Sequence, residues 1–384
     1  MFEYLNKDFN NNPLKILFIL HIPPPIHGAA MVGQAITESH VINMAYYCRY
    51  LNLSLSDRVD TIGRNSFKKV WHYLSLLGQV IRHLITFKPD LCYLTIQVYG
   101  IGFYKDLPLV VLAKLCGVKI VYHLHNKGVS KWQHRTFDNL LYRLVFNKAD
   151  VILLADSLYA DLQKYVPLEK VHICANGVKD EGQKIKIKEQ NAQSKGEIVN
   201  ILFLSNLIES KGVFVLLEAC QILKNNGVRF QCTLAGGEGD ISARALNEKI
   251  IAGDLEDRVT YAGQKYGTEK EHLLAESDIF VHPTYSDCFP LVLLEAMQHA
   301  LPIVSTYEGA IPEMVTEGVT GFLVPQQNAQ ALAEKLEMLI QDTTMSAQMG
   351  AAGRTRYEQH YTLEIFEKRM TEILRSISSQ QLSN

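Results

Sequence analysis

The sequence predicts an α/β protein made of two doubly wound domains, and three observations support this prediction. Short apolar runs, typical of buried parallel strands, recur along the 384 residues. Apolar residues at helical spacing fill the intervals between these runs. A polar, charged segment at about 179–197 separates the runs into two groups. Because strands that alternate with helices form parallel sheets covered on both faces, each group predicts one Rossmann-like sheet.

The first group begins with "LKILFIL" at residues 14–20, which the turn-rich "HIPPPIHGAA" follows. Three further runs, "DLCYLTI", "KIVYHLH" and "DVILLA", have the same apolar character. A long helix is predicted between the first two of these four strands, because apolar residues recur there every three or four positions. Those residues are Phe67, Val70, Trp71, Leu74, Leu77, Ile81, Leu84 and Ile85.

The second group begins with "VNILFLS" at residues 199–205 and continues with "RFQCTLAG", "RVTYAG", "DIFVHP", "LPIVST" and "GFLVP". Helical spacing returns after Tyr361. We therefore predict one domain over residues 1–185, a second over 186–360, and a C-terminal helix within 361–384 that crosses back to the first domain. Ligands of open α/β sheets bind beyond the carboxyl ends of the strands, so a cleft between the domains is the expected site.

Composition favours a cytoplasmic protein. The seven cysteines include no Cys-x-x-Cys pair, which indicates reduced thiols and neither disulfides nor a zinc site. The N-terminus lacks the pattern of a signal peptide, and no stretch reaches the ~18 uncharged apolar residues of a membrane span. Residues 1–190 hold 23 Lys and Arg against 15 Asp and Glu, whereas the remainder holds 15 against 25. This asymmetry indicates an anionic partner for the first half; a chance division between solvated surfaces is the alternative.

The stretch "SDCFPLVLLEAM", at residues 286–297, raises the question of why a carboxylate stands inside an apolar helix, predicted over 290–299. Pro290 suits the first helical position, where its missing N–H costs no hydrogen bond. The free amides of Leu291 and Val292 would then attract an anion such as a diphosphate. Glu295 needs hydrogen-bond donors, which the vicinal diol of a ribose would supply. Asp287 would hold hydroxyls of whatever the diphosphate carries.

A structural explanation of the same stretch is also possible. Glu295 would pair with a core histidine or lysine, and Asp287 would cap the helix. These two residues by themselves leave both interpretations open.

The surrounding sequence favours the ligand-binding interpretation. The run "DCFPLVLLEAMQHALPIV", residues 287–304, resembles the Glu-x7-Glu signature of the retaining glycosyltransferases of family 4. "GAIPEMVTEGVTGFLVP" is similar to the segment that follows this signature, and "KADVILLADS" and "VHICANGV" are similar to the segments that close the first domain of the family. The resemblance implies the GT-B fold, with two Rossmann-like domains around a central cleft. It also implies transfer of a hexosyl group from a nucleotide diphosphate sugar to an acceptor hydroxyl, with retention.

The resemblance assigns roles to the residues of the signature. It implies that Glu295 holds the ribose of the nucleotide. Asp287 stands where the family has a glutamate and is expected to hold hydroxyls of the donor sugar. Phe289 and the amides of Leu291 and Val292 are expected to contact the sugar and the diphosphate.

Five further positions take roles from the resemblance. Lys211, in "SNLIESKG", corresponds to a cation on the diphosphate, and Asn206 stands where the family has a second cation, an arginine. Gly28 belongs to a loop whose amides approach the donor phosphate. Gln264 lies where the family reads the base. His125, at the end of "IVYHLH", is expected to reach the donor sugar near the reaction centre, so His125, Lys211 and Asp287 are the predicted catalytic residues.

The implied mechanism is electrostatic. Charge that develops on the departing diphosphate would be stabilised by a lysine and by helix amides, without a side-chain nucleophile. No metal and no cofactor are expected, because the chain has no Asp-x-Asp pair, no Gly-x-Gly-x-x-Gly and no Walker loop. The expected partners are a nucleotide-sugar donor and a saccharide or lipid-linked acceptor, in polysaccharide or glycolipid assembly, and no nucleic acid.

Basic residues mixed with tryptophan suggest a third partner, an anionic membrane surface at the inner face. A solvated basic face is the alternative. The residues are Arg64, Lys68, Lys69, Trp71, Arg82 and Lys88, followed by Lys127, Lys131, Trp132 and Arg135.

Two other functions stay open at this point. A nucleotide-sugar epimerase on the same fold would need acids and histidines for proton transfer. A degraded protein that only binds nucleotides is supported by Ala29, Asn206 and Asp287, which all depart from the family pattern. Nucleotide binding together with slow donor hydrolysis would distinguish a transferase from such a relic.

Overall fold

The computed structural model describes residues 13–54, 67–180 and 198–379, with 67–69 described by their backbone alone. The chain divides into two compact units. One unit takes in the chain up to Ala175 together with the stretch that begins at Glu364, and the other runs from Asn176 to Leu363. The predicted boundary between residues 185 and 186 lies in the range 181–197, outside the described residues.

The first unit is built on a six-stranded sheet in which all neighbouring strands are parallel. The strands are β1 (Lys15–Leu20), β2 (Tyr47–Asn52), β3 (Leu91–Leu94), β4 (Lys119–His123), β5 (Asp150–Leu153) and β6 (Val171–Ile173), in the order β2-β1-β3-β4-β5-β6. The four predicted strands are present. The sequence did not reveal the two edge strands, β2 and β6. The exposure of β2 alternates along the strand and β6 has only three residues, so neither leaves a continuous apolar run.

Helices connect these strands. They are α1 (Gly28–Glu38), α2 (His40–Ala45), α3 (Phe67–Thr86), α4 (Gly100–Leu115), α5 (Val129–Trp132) and α6 (Thr136–Phe146). The predicted long helix is α3. It buries Leu76, Val80 and Leu84, but it exposes Trp71 and Ile85, so much of its apolar stripe faces away from the core of the unit.

The second unit contains six parallel strands that coincide with the six predicted runs. They are β7 (Val199–Leu204), β8 (Phe230–Ala235), β9 (Val259–Gly263), β10 (Ile279–His282), β11 (Ile303–Thr306) and β12 (Gly321–Val324). The order is β9-β8-β7-β10-β11-β12, which is that of the dinucleotide-binding Rossmann fold. The direction of winding reverses between β7 and β10, and ligands of such sheets bind at this switch point.

The remaining helices are α7 (Val213–Asn225), α8 (Ala243–Ala252), α9 (Gly267–Glu276), α10 (Leu291–Gln298), α11 (Ile311–Met314), α12 (Ala329–Gln341), α13 (Thr343–His360) and α14 (Leu363–Ser379). The start predicted for α10 was one residue early. Pro290 is the N-cap, with ψ 110, and lies outside the helix. Within the described residues, no helix combines the length and the apolar character of a membrane span.

Helix α14 belongs to the first unit. It buries Phe366, Met370 and Leu374 almost completely. The Tyr46 hydroxyl donates to a main-chain carbonyl of α14, that of Thr371, at 2.7 Å. Helix α14 therefore contributes to the core of the first unit.

The chain enters and leaves the second unit at adjacent positions. The Val178 amide donates to the Tyr361 carbonyl at 3.1 Å, and the Leu363 amide donates to the Val178 carbonyl at 3.0 Å. Both oxygens of Asp180 accept from the Arg354 guanidinium of α13, at 2.9 and 2.5 Å. The two ends of the second unit are thus fastened to each other.

Candidate active site

The residues that the sequence singles out in the second half gather at the switch point of the second sheet. Asn206 and Lys211 follow β7, and Asp287 follows β10, the strand beside it. Gln264 follows β9, and Glu295 lies in the helix after β10. Parallel strands end at the same edge of a sheet, which is why side chains up to about 90 residues apart in sequence come together here.

A glycine brings Lys211 against the loop after β10. Lys211 ends a short 3₁₀ turn, and Gly212 then takes the left-handed conformation, with φ 84. A Cβ atom on Gly212 would lie only 2.1 Å from the Pro283 carbonyl oxygen, so no other residue fits without displacement. The Tyr285 amide also donates to the Ser210 carbonyl at 2.9 Å. The two loops therefore pack directly against each other.

Lys211 and Asp287 form an ion pair at this point. The lysine Nζ lies 2.5 Å from Oδ2 of Asp287 and 3.2 Å from the Ser286 carbonyl oxygen. The other carboxylate oxygen, Oδ1, accepts from the Cys288 amide at 2.8 Å. His282, at the end of β10, places Nε2 3.6 Å from Oδ2. Both oxygens of Asp287 are thus engaged in the unliganded protein.

The electrostatics of this group favour an ionised Asp287. Burial alone would raise the pKa of Asp287, but His282 and the charge of Lys211 outweigh it and hold that pKa well below the usual range. Burial lowers the pKa of His282, and the attraction to Asp287 only partly opposes this. At neutral pH the arrangement is therefore a carboxylate between an ammonium group and a neutral imidazole.

The N-terminus of α10 supplies main-chain donors next to this pair. The Leu293 amide donates to the Pro290 carbonyl at 3.1 Å, and the amides of Leu291 and Val292 precede this hydrogen bond. Leu291 and Val292 are half-buried. Phe289 is buried and its ring packs edge-on against that of Tyr361, at 6.1 Å between centroids, which fixes the turn into the helix.

Glu295 lies one turn further along α10. Its Oε1 accepts from Nζ of Lys270, on α9, at 2.7 Å. Its Oε2 is buried and has no hydrogen-bond partner among the residues that the structure describes. The structural explanation of this acid is therefore correct for one oxygen only, since Lys270 satisfies Oε1 and leaves Oε2 available to a donor from a ligand.

Asn206 and Gln264 meet at a glycine. The Gly237 amide, after β8, donates to Oδ1 of Asn206 at 3.3 Å, and a Cβ on Gly237 would lie 2.8 Å from Nε2 of Gln264. Gln264 also donates to the Tyr266 hydroxyl at 2.5 Å. This edge of the site is lined by neutral amide and hydroxyl groups.

The first unit carries Gly28 and His125. Gly28 begins α1, and the side chain of its N-cap, His27, accepts from the Ala30 amide at 3.4 Å. Burial, together with a smaller effect of the nearby His27, lowers the pKa of His125 to about 3. The loop after β1 and the end of β4 are therefore neighbours. Nε2 of His125 is buried and has no hydrogen-bond partner within the described part of the chain.

A neutral His125 can donate or accept a hydrogen bond, but it cannot supply positive charge at neutral pH. Across the described ranges, no three His, Cys, Asp or Glu side chains converge in a manner that could hold a metal ion.

Sequence reasoning missed two residues of the site. His282 stands inside the quoted run "DIFVHP", and a histidine at the end of a predicted strand was a usable signal. Lys270 gave no such signal, because its pairing with Glu295 depends on how α9 lies against α10.

Comparison with known proteins agrees with this geometry. Residues 183–356 match the model of the family described as glycosyl transferases group 1. The chain is 34% identical over 218 residues to the amylovoran biosynthesis glycosyltransferase AmsK of Erwinia amylovora, which covers 55% of this chain and 52% of AmsK. It is 30% identical over 246 residues to WcaL of Escherichia coli, named for colanic acid biosynthesis, which covers 62% of this chain and 59% of WcaL. The chain thus spans between half and two thirds of these relatives.

Solved structures show the fold. HepE of Anabaena, in complex with UDP, superposes with a TM-score of 0.71 at 19% identity, over 94% of this chain and 100% of HepE. Sucrose-phosphate synthase from Thermosynechococcus elongatus superposes with a TM-score of 0.72 at 17% identity, over 96% of this chain and 100% of the synthase. The predicted GT-B fold, with two Rossmann-like domains, is confirmed. The match of residues 183–356 to the group 1 glycosyl transferases agrees with this fold.

Proposed function

We propose that this protein is a retaining glycosyltransferase that moves a hexosyl group from a nucleotide diphosphate sugar to an acceptor hydroxyl. The observation that carries the proposal is the group at the switch point of the second sheet. A lysine, the first amides of a helix and a carboxylate whose Oε2 has no partner among the described residues lie at the same edge of the sheet. The names of two relatives, AmsK and WcaL, place them in the biosynthesis of amylovoran and colanic acid, which supports polysaccharide or glycolipid assembly for this chain.

Each part of a nucleotide sugar has a counterpart in this group. Oε2 of Glu295 accepts from a ribose hydroxyl, Gln264 lies toward the base, and Asn206 stands at the position of the second diphosphate cation. The diphosphate takes the amides of Leu291 and Val292, where the helix dipole favours negative charge. HepE was solved with UDP-glucose, which supports a donor of this class.

Lys211 and Asp287 act at the reacting end of the donor. Lys211 stabilises the charge that develops on the departing diphosphate, and Asp287 accepts from hydroxyls of the sugar as positive charge develops on its ring. Because Asp287 already holds Lys211, donor binding has to share the lysine between carboxylate and diphosphate. Gly28 and His125 contribute from the first unit by resemblance alone.

The reaction as proposed uses no metal ion and no cofactor. The support is the donor set: Lys211 and main-chain amides supply the positive charge that a metal would otherwise bring to the diphosphate. The sequence also lacks the Asp-x-Asp pair that would hold such a metal.

The test begins with a thermal-shift screen of uridine, guanosine and adenosine diphosphates. The nucleotide that binds most tightly is then titrated by calorimetry. Charged hydrogen bonds contribute about 1.5–3 kcal/mol each, so Glu295→Ala should lower the affinity at least about tenfold. Glu276→Ala is the matched control, because Glu276 is an exposed acid of α9 that pairs with His272. Slow hydrolysis of the matching donor, followed by mass spectrometry, distinguishes a transferase from a protein that only binds. Unchanged affinity of the Glu295 variant would remove the ribose role.

We also propose that the first unit works at an anionic membrane surface, where a lipid-linked acceptor would lie. Three helices of this unit present large apolar side chains to solvent, at 38–86% exposure. They are Val70, Trp71, Leu74, Ile81 and Ile85 on α3, Ile101, Tyr104 and Leu115 on α4, and Phe137, Leu140 and Leu144 on α6. We call this set the apolar helix face.

The three helices contact one another. The Tyr73 hydroxyl of α3 donates to the Lys105 carbonyl of α4. The Tyr104 ring of α4 lies 6.3 Å from the Phe137 ring of α6, and its hydroxyl donates to Asp138 at 2.6 Å. The apolar side chains therefore belong to one connected group of helices.

Charge on the same segment suits an anionic surface. Residues 67–148 contain twelve Lys and Arg against three Asp and no Glu. Asp106 and Asp138 are buried, at 1% and 2% exposure, so they present no negative charge outside. Apolar residues beside basic ones are typical of proteins that lie on anionic bilayers, with about 1 kcal/mol gained per basic residue near the surface.

A further inference from the structure

Lys270 is a charged residue of the site that neither the family signature nor the proposed mechanism uses. It lies on α9 and places Nζ 2.7 Å from Oε1 of Glu295. The two side chains are 23% and 19% exposed, so the pair is shielded from most of the solvent. Such an ion pair holds its geometry better than a surface pair, where water and salt compete for both charges.

The neighbouring groups leave Glu295 as the main partner of Lys270. Glu271 is the other nearby acid, at 3.9 Å from Nζ. Its Oε2 lies 2.9 Å from Nε2 of His299, which is almost buried, so this carboxylate already has a close partner.

The pairing divides the two oxygens of Glu295 between two tasks. Oε1 is bound to the lysine, whereas Oε2 is buried and has no hydrogen-bond partner among the described residues. A buried carboxylate oxygen without a donor is costly, and a ligand hydroxyl removes this cost. The ion pair thus fixes the rotamer of Glu295 in advance, with one defined oxygen free.

We propose that Lys270 is a positioning residue that holds Glu295 ready for the ribose of a nucleoside diphosphate. The inference rests on the proposed function, because it takes Glu295 as the ribose ligand. Lys270 also compensates the charge of Glu295, which would otherwise repel the diphosphate of the same ligand. The subsite is then a carboxylate–ammonium pair that accepts one ribose hydroxyl at Oε2.

The experiment is a double-mutant cycle on nucleotide affinity. Lys270→Met, Glu295→Ala and the double variant are titrated by calorimetry with whichever of uridine, guanosine or adenosine diphosphate binds the parent most tightly. Lys270→Met should weaken binding at least about fivefold in the parent and leave affinity unchanged in the Glu295→Ala background, since contacting residues are not additive. Lys270→Arg keeps the charge and should recover most of the affinity.

The control is Lys265→Met, because Lys265 is a lysine before the same helix that pairs with exposed Glu269 at 2.8 Å. The nucleotide affinity of Lys265→Met should stay within about twofold of that of the parent. Thermal unfolding of each variant separates lost positioning from lost folding. If Glu295→Ala weakens binding but Lys270→Met does not, the inference is wrong and the proposed function stands. An equal loss from Lys270→Met in both backgrounds would mean that Lys270 contacts the nucleotide itself, which also overturns positioning. If Glu295→Ala has no effect, the ribose role proposed for Glu295 fails.

Discussion

Asp287 shows how one shorter side chain changes the chemistry of a site. An aspartate at this position holds Lys211 at 2.5 Å with one oxygen and the Cys288 amide at 2.8 Å with the other. His282 packs behind it at 3.6 Å. The carboxylate is therefore fixed by the protein before any sugar arrives, and its low pKa keeps it charged throughout the neutral range. Its proposed role toward the sugar is therefore linked to its hold on Lys211.

Replacing Asp287 by asparagine tests this link. Asn keeps the shape but removes the charge, so it weakens both the hydrogen bonds to the sugar and the hold on Lys211. We expect kcat/KM for donor turnover to fall about thirtyfold, or about 2 kcal/mol, with nucleoside diphosphate affinity little changed. Asp287→Glu should retain more activity than Asn because the charge survives. If the Asn variant turns over donor within twofold of the parent, Asp287 only holds Lys211 and the Cys288 amide, and the sugar is bound elsewhere.

The same variant should alter stability in a pH-dependent manner. The folded-state pKa of Asp287 is depressed, so the ionised group stabilises the fold above its unfolded pKa, about 3.9, and this contribution declines as pH falls further. The melting temperatures of the parent and Asp287→Asn should therefore differ by a constant amount in the neutral range and converge below about pH 4. A difference that does not depend on pH would show that the charge of Asp287 is not stabilising.

The loops that end the strands of the second sheet depend on close main-chain approaches. The loop after β7 can reach the loop after β10 only because Gly212 has no side chain facing Pro283. Gly236 serves the loop after β8 in the same way, since a Cβ there would lie 1.8 Å from the Ser205 carbonyl oxygen. These glycines place Lys211 and Asn206 at the edge of the sheet. The conformation of the loops therefore determines the positions of these two candidate site residues.

Gly212→Ala and Gly227→Ala form a matched pair that isolates the close approach. Both glycines have left-handed φ values, 84 and 73, but a Cβ on Gly227 has nothing within 4 Å. A left-handed alanine costs roughly 1–2 kcal/mol at either position, and only Gly212→Ala adds a clash with Pro283. We expect the melting temperature of Gly212→Ala, measured by calorimetry, to be several degrees lower than that of Gly227→Ala. We also expect Gly212→Ala to bind nucleotide more weakly. Equal melting temperatures would show that the loop moves away from the added Cβ without loss of stability.

The surface of the protein divides its charge unevenly, with the excess of basic residues in the first half of the chain. The number of charged residues does not tell which of them are exposed. The structure shows that Asp106 and Asp138 are buried and that the apolar helix face lies on the same segment as the basic residues. Solvated basic surfaces ordinarily carry few large apolar groups, whereas Trp71 is 76% and Ile101 86% exposed.

Vesicle sedimentation tests the proposed membrane contact. The protein should sediment with vesicles of phosphatidylglycerol and phosphatidylcholine at low salt, but not with phosphatidylcholine alone, and salt should weaken the binding. Trp71→Glu combined with Phe137→Glu should abolish most of it. Ile251→Glu is the matched control, since Ile251 is 61% exposed in the second unit. Equal sedimentation with both vesicle types at low salt would argue against an anionic membrane as the partner.

The sequence predicted the fold well because buried parallel strands leave continuous apolar runs, as in β1 and β7. It missed the edge strands β2 and β6, which leave no continuous apolar run. The placement of Lys211 and Glu295 after strands of the second sheet could be predicted, because these residues lie in or next to recognisable motifs. The role of Lys270 could not be predicted from the sequence. Its contact with Glu295 depends on how two helices pack, and no local sequence pattern indicates that packing. The roles of Gly28, His125 and every other residue of the candidate site stay predictions.

The return of α14 to the first unit has a consequence for how the protein is made. When Leu363 has been added to the nascent chain, every residue of the second unit has been synthesised. The first unit still lacks helix α14 at that point. Synthesis at 5–20 residues per second puts roughly 10–40 s between Ala175 and Glu364. During this interval the first unit lacks the buried side chains of Phe366, Met370 and Leu374. We therefore expect the half that is translated first to finish folding last, and to be the half that engages chaperones.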